Sequence, residues 1–257
     1  MKARRILVTN DDGITSPGIK SLLEVASEYG DPIVVAPDSP QSGQGHAITI
    51  NKPIRLKESN IFPGVKAFEC SGTPADCVKL AKNVLLKDEK IDLCVSGINH
   101  GSNASINIIY SGTMSAAMEA SLEGIKSIGF SLTSYSYKAS MEGSKHYARL
   151  IIKSMLESEI LDCNLLNVNI PDLPLEEIKG MKICRQGKGN WVEDFLENKD
   201  PRDQPYYWLA GEFKTELQED TDLWALKNGY VSVVPAQHDL TNYKVLDAIK
   251  YMENQTL

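Results

Sequence analysis

From residue 5 to residue 170 the chain repeats one unit: a short unbroken apolar run, a polar loop, then a stretch with helical period. The runs are ILVTN at 6–10, PIVVAP at 32–37, DLCVSG at 92–97, SIGFSL at 127–132 and LLNVNI at 165–170. Strands that are apolar on both faces belong to a parallel sheet covered on both sides. Between the first two runs, Ser16-Pro17 supplies a cap and a first-turn proline. Ile19, Leu22, Leu23 and Ala26 then mark one helix face, and Gly30 a stop. Thr73, Pro74 and Asp76 open a second helix with a box-like cap, and further helices are expected over 112–124 and about 141–158. The stretches 47–59 and 65–70 read as additional strands. Repeated βα alternation implies an α/β fold with right-handed crossovers. After about residue 180 the rhythm gives way to aromatics, charges and turn residues, as in long hairpins or an arm.

In an open parallel sheet, ligands bind beyond the carboxyl ends of the strands. Four segments place polar residues there: Asn10-Asp11-Asp12-Gly13, the loop Asp38 to His46, the stretch Ser96 to Gly101, and Tyr110 to Thr113 at a helix start. Two adjacent carboxylates repel each other, more so when desolvated, and call for a positive partner. Asp11 and Asp12 with the oxygens of Ser42 and Asn99 form a hard-oxygen set suited to Mg²⁺ or Mn²⁺. Ser111, Gly112 and Thr113 offer a helix N-terminus to phosphate oxygens. His46 and His100 sit in the same loops and could donate to an anion or a leaving group. Taken alone, each of these residues is also an ordinary turn, cap or solvated loop residue. The stripe Trp191, Tyr206, Tyr207 and Trp208 reads as packing or interface rather than a nucleobase platform.

At 257 residues the chain makes one large domain or two small ones. Its net charge of −7 argues against a broad nucleic-acid footprint. Five scattered cysteines without C-x-x-C spacing read as reduced core thiols of a cytoplasmic protein. No apolar run suits a signal peptide or a bilayer span, so no membrane partner is expected.

Seven motifs in order carry a resemblance that spans essentially the whole chain: ILVTNDDGITSPGI, VVAPDSPQSGQGHAIT, SGTPADCV, VSGINHGSN, YSGTMSAAMEA, DPRDQPYYW and GYVSVVPAQHDLT. Together they resemble the SurE (stationary-phase survival protein) nucleotidase family. The resemblance implies a metal-dependent 5′-nucleotidase, a phosphatase of nucleoside monophosphates (5′ and, as a further option, 3′), with short-chain polyphosphate a further substrate of some members. It implies one divalent ion per subunit, Mg²⁺ or Mn²⁺, on Asp11, Asp12, Ser42 and Asn99. Asp12 and Asn99 are the catalytic candidates, Asp12 orienting or deprotonating the attacking water. Asn103, Ser111, Gly112 and Thr113, with Gly43 and His46, are the candidates for the phosphate. The general acid is either His46 or polarisation of the leaving oxygen by the metal. The implied fold is a Rossmann-like, three-layer α/β/α core over 1–180. The extension at 181–257 would join subunits as a homodimer or tetramer, its final strand and helix returning to the core. One departure stands out: after Asn103 the family commonly shows glycine and acidic residues, where this chain has Ala104-Ser105-Ile106-Asn107-Ile108.

Two rival readings place acids after a first strand. A phospho-receiver module needs a phospho-accepting Asp after its third strand and a Lys after its fifth, and the segments 54–72 and 127–137 offer neither at those places. A nucleotide-sugar transferase usually carries its acids as D-x-D, whereas here they are contiguous.

Overall fold

The computed structural model describes residues 4–157 and 164–254. Its strands are β1 (Arg5–Thr9), β2 (Asp31–Pro37), β3 (Leu56–Ser59), β4 (Lys66–Cys70), β5 (Leu93–His100), β6 (Ser127–Leu132), β7 (Leu165–Ile170), β8 (Met181–Ile183), β9 (Gly189–Lys199), β10 (Pro205–Thr215) and β11 (Val231–Pro235). Its helices are α1 (Pro17–Ala26), α2 (Pro74–Leu80), α3 (Gly112–Leu122), α4 (Glu142–Glu157), α5 (Asp222–Lys227) and α6 (Leu246–Ile249). Nine strands form one sheet in the order β3-β4-β2-β1-β5-β6-β7-β11-β8. The run from β4 through β7 is parallel throughout. Strands β3 and β11 each pair antiparallel with a neighbour.

Alternation along each strand divides the core in two. Ile6 and Val8 of β1 face α1 and α4, in a cluster with Ile19, Leu22, Phe130 and Ile152. Leu7, between them, faces α2 and α3 with Cys77, Val78, Ala116 and Ala120. Helices on both faces explain why the central strands carry no polar alternation. Burial of the apolar stripe, rather than helix propensity, holds these helices in place.

The sheet order turns about β1. The chain moves one way to β2 and β4, then crosses back to β5 and β6 on the other side. The carboxyl ends of β1 and β5 therefore lie side by side at the switch point, where such sheets open a crevice.

Three expectations change. The stretch 47–55 does not join the sheet; the strand begins at Leu56. Its backbone is held by α2's cap instead: the Ala47 carbonyl accepts from Thr73 Oγ1 at 2.7 Å, and Thr49 N–H donates to Asp76 Oδ1 at 3.1 Å. The second helix changes to π geometry over Ala81–Leu85. Of the final strand and helix, the strand β11 returns to the sheet, but α6 buries none of its residues. Strands β9 and β10 make a separate antiparallel ribbon of eleven residues each. Cys70, Cys77, Cys94 and Cys184 are free and buried; Cys163 lies outside the described residues. No helix among the described residues is long and apolar enough to cross a membrane.

Candidate active site

Strand β1 ends at Thr9 and delivers Asn10, Asp11 and Asp12 into the crevice, all three buried. Asn10 sets the turn: its Nδ2 donates to the Gly13 carbonyl at 2.9 Å and to Ser16 Oγ at 2.8 Å. The two carboxylates leave in different directions and find different partners.

Asp11 faces the start of α3. Its Oδ1 accepts from Thr113 Oγ1 at 2.5 Å, and the Thr113 N–H donates to the same carboxylate. A Cβ at Gly112 would lie 2.6 Å from Asp11 Cβ, so only glycine lets the helix approach this closely. The partial positive charge at the helix end is the first counterweight to the acid pair. It is incomplete: burial pushes the Asp11 carboxyl up to about 6, the Thr113 hydroxyl opposes that shift, and the Asp12 charge adds to it.

Asp12 faces β5. Its Oδ2 accepts from the His100 N–H at 3.1 Å and from His100 Nδ1 at 2.9 Å. Tyr137 stands near it: burial first, then the Asp12 carboxylate, raise the tyrosine's pKa. The Tyr137 and His100 ring centroids are 4.4 Å apart. Both His100 donors fall on Oδ2, and a carboxylate has about four lone-pair sites, so Oδ1 stays open to a further ligand.

Asp11, Asp12, Ser42, Gly43, Asn99, Asn103 and Ser111 all line one cleft of about 430 Å³. Asn99 Nδ2 donates to the Gly101 carbonyl at 2.8 Å, which leaves its Oδ1 as the free ligating atom. Ser42 is exposed on its loop, anchored where Gln41 N–H donates to the Asp11 carbonyl at 2.7 Å. Ser111 Oγ caps α3 by accepting from Met114 N–H at 3.0 Å, and its own proton is free to donate. Among the described residues no group of three or more His, Cys, Asp or Glu side chains could hold a metal. The acid pair with neutral Ser42 and Asn99 is therefore the hard-oxygen set to consider. It fits a divalent cation: two formal charges balance two carboxylates, one of which is costly to ionise without one.

Several residues sit otherwise than their motifs suggest. Thr113 is spent on Asp11 and fully buried. His46 does not line the cleft. Its Nε2 lies 2.8 Å from Glu119 Oε2, and Lys79 Nζ is 2.5 Å from the other oxygen. Against the upward push of burial, these bonds hold Glu119 below the usual carboxylate range. Asn103 lines the cleft but donates inward to Ser131 Oγ at 2.8 Å, in an amide network with Asn167 and Asn169. Sequence reasoning missed Tyr135, Tyr137 and the place of Trp191. Tyr135 and Trp191 line the same cleft as the acids, from the loop after β6 and the ribbon respectively. Only a Tyr-x-Tyr pattern three residues past a strand end could have drawn attention to the tyrosines.

Comparisons with known proteins agree on one family. The model of the family described as Survival protein SurE matches residues 6–193. The 5′-nucleotidase SurE of Cytophaga hutchinsonii is 56% identical over 242 residues, covering 94% of this chain and 93% of its own. That of Flavobacterium psychrophilum is 56% identical over 246 residues, covering 95% of each. The crystal structure of SurE protein from Aquifex aeolicus superposes with a TM-score of 0.84 at 44% identity, covering 97% of this chain and all of that one.

Thr113→Val keeps the side chain's volume and removes the Asp11 donor. Urea unfolding at pH 8 should show a loss of about 1–3 kcal/mol, with Thr113→Ser retaining most of the stability. A valine variant as stable as the wild type would mean that the hydroxyl does not carry the acid.

Proposed function

The chain belongs to the Survival protein SurE family, and on that premise we propose that it is a metal-dependent 5′-nucleotidase, hydrolysing nucleoside monophosphates to nucleoside and phosphate. The observation that carries the reading is the convergence of Asp11, Asp12, Ser42 and Asn99 on one cleft at the switch point of the sheet. The named activity of the relatives from Cytophaga and Flavobacterium supports it.

Asp11, Asp12, Ser42 and Asn99 would hold one Mg²⁺ or Mn²⁺. When bound, the ion neutralises the phosphate ester and makes water a better nucleophile at neutral pH. The rest falls to the chain. Asp12, fixed by the His100 backbone and ring, orients the attacking water and takes its proton. The Ser111 hydroxyl and the Gly112 N–H, at the first turn of α3, donate to the equatorial phosphoryl oxygens. The positive end of α3 reaches Asp11 and the phosphate side of the cleft together. His46, turned to Glu119, is not placed to protonate the leaving oxygen.

Catalytic turnover separates this reading from a receiver module, which takes up one phosphoryl group. Hydrolysis of AMP should fall to background in EDTA and return with Mg²⁺ or Mn²⁺. Asp11→Asn should lower kcat by about 100-fold or more. Full activity of that variant, or activity indifferent to EDTA, would remove the metal role.

The extension after β8 serves self-association in this proposal. Phe195, Leu196, Tyr207, Trp208 and Leu209 on the β9–β10 ribbon are more than half exposed, an apolar load too large for a free surface. A second copy covers them. Sedimentation velocity of a Trp208→Lys, Leu209→Lys double variant should show a lighter particle than the wild type; an unchanged mass would exclude the ribbon. Buried, free cysteines accord with a reducing cytoplasmic compartment.

A further inference from the structure

The cleft is larger than a phosphate and its cation require. About 430 Å³ lies in the range of sites for whole organic ligands. Besides the acids, its lining includes three exposed aromatics: Tyr110, Tyr135 and Trp191, exposed by 52%, 74% and 40%. Among the described residues no lysine or arginine lines the cleft.

These rings are held, not loose. Trp191 comes from β9, and its Nε1–H donates to Asn107 Oδ1 at 2.9 Å, while Phe213 of β10 meets it edge-on at 5.4 Å. The Tyr110 N–H donates to the Asn107 carbonyl at 3.1 Å, and the Tyr110 carbonyl accepts from Gly45 at 3.1 Å. One residue, Asn107, thus ties the Trp191 ring through its side chain and the Tyr110 backbone through its carbonyl. Tyr135 lies against Gly101, where an added Cβ would sit 2.6 Å from the ring. Asn107 belongs to the segment in which this chain has amides and aliphatics after Asn103. That segment is clamped to the base of the ribbon as well: Asp222 accepts from Ser105 N–H and Gly187 N–H, each at 2.8 Å.

We propose that Tyr135 and Trp191, with Tyr110 beside them, form a stacking subsite for the nucleobase of the substrate, and that Asn107 is the positioning residue that brings Trp191 to the cleft. The proposal rests on the nucleotidase reading and extends it to how the nucleoside half is chosen. Exposed ring faces favour flat, π-rich groups of any kind. Stacking on ring faces reads no base edge, and the Asn107 amide is turned to the indole through Oδ1 and to the Ser102 carbonyl through Nδ2. The subsite therefore accepts all bases and favours purines for their larger face.

The test compares AMP and CMP with ribose 5-phosphate, which has the ester and lacks the base, on wild type, Tyr135→Leu, Trp191→Leu, Trp191→Phe and Asn107→Ala. The Leu variants should raise KM for AMP about tenfold, more than for CMP, and leave kcat/KM for ribose 5-phosphate within about twofold. Trp191→Phe should recover most of the loss, and Asn107→Ala should follow Trp191→Leu. Calorimetric titration with adenosine, which carries no ester, should show binding to wild type that Tyr135→Leu lacks, whether or not turnover occurs. Equal losses on AMP and ribose 5-phosphate would overturn the subsite in favour of a structural role. Unchanged KM for AMP, or adenosine binding indifferent to Tyr135, would also overturn it. A wild type that cleaves ribose 5-phosphate but not AMP would refute the nucleotidase reading first and this one with it.

Discussion

Two adjacent carboxylates, both buried at the end of a central strand, are an arrangement that folding alone would not favour. The rest of the crevice can be read as the answer to that repulsion. Asp11 is met by the N-terminus of α3, through the Thr113 hydroxyl and N–H. Asp12 is met by β5, through the His100 backbone and ring, with Tyr137 near it. These groups divide the pair between two elements that the switch point brings together. They do not neutralise it, and Asp11 still sits well above the ordinary range for an aspartate. The remaining electrostatic demand is one that a divalent ion would satisfy under the proposed reading.

The same constraint accounts for the neighbourhood. Gly112 is needed because Asp11 comes within contact of the helix start. The Ser42 loop is pinned at Gln41 to the Asp11 carbonyl and at Ala47 and Thr49 to the cap of α2, so a glycine-rich loop still presents its hydroxyl at a defined place. Glu119, between His46 and Lys79, fastens the far end of that loop to α3. The second-rank polar residues of the motifs are thus occupied in holding the first-rank ones.

Much of this was legible in the chain. Unbroken apolar runs announced the parallel sheet, and the acid pair after the first of them marked the crevice; Asp11, Asp12, Ser42 and Asn99 do share one cleft. What the sequence did not reveal is how loops of different βα units meet. Thr113 reads as a cap or a phosphate donor until α3 is seen against Asp11. His46 reads as a site residue until Glu119, 73 positions on, takes its ring. Trp191 falls in an aromatic stripe that is otherwise exposed on the ribbon, and only the bond to Asn107 sets it apart. The stretch 47–55 has strand composition, but its backbone pairs with the Thr73 and Asp76 side chains at the cap of α2 instead. Periodicity reports a residue's own element; it carries nothing on the partner that an element will meet.

The central claim is that the acid pair grips one divalent ion, and a binding titration without substrate tests it most directly. Protein stripped with EDTA and titrated with Mn²⁺ in a calorimeter should take up one ion per chain, with Asp11→Asn and Asp12→Asn each abolishing the heat. Undiminished uptake by both variants, or no uptake by the wild type, would contradict the account.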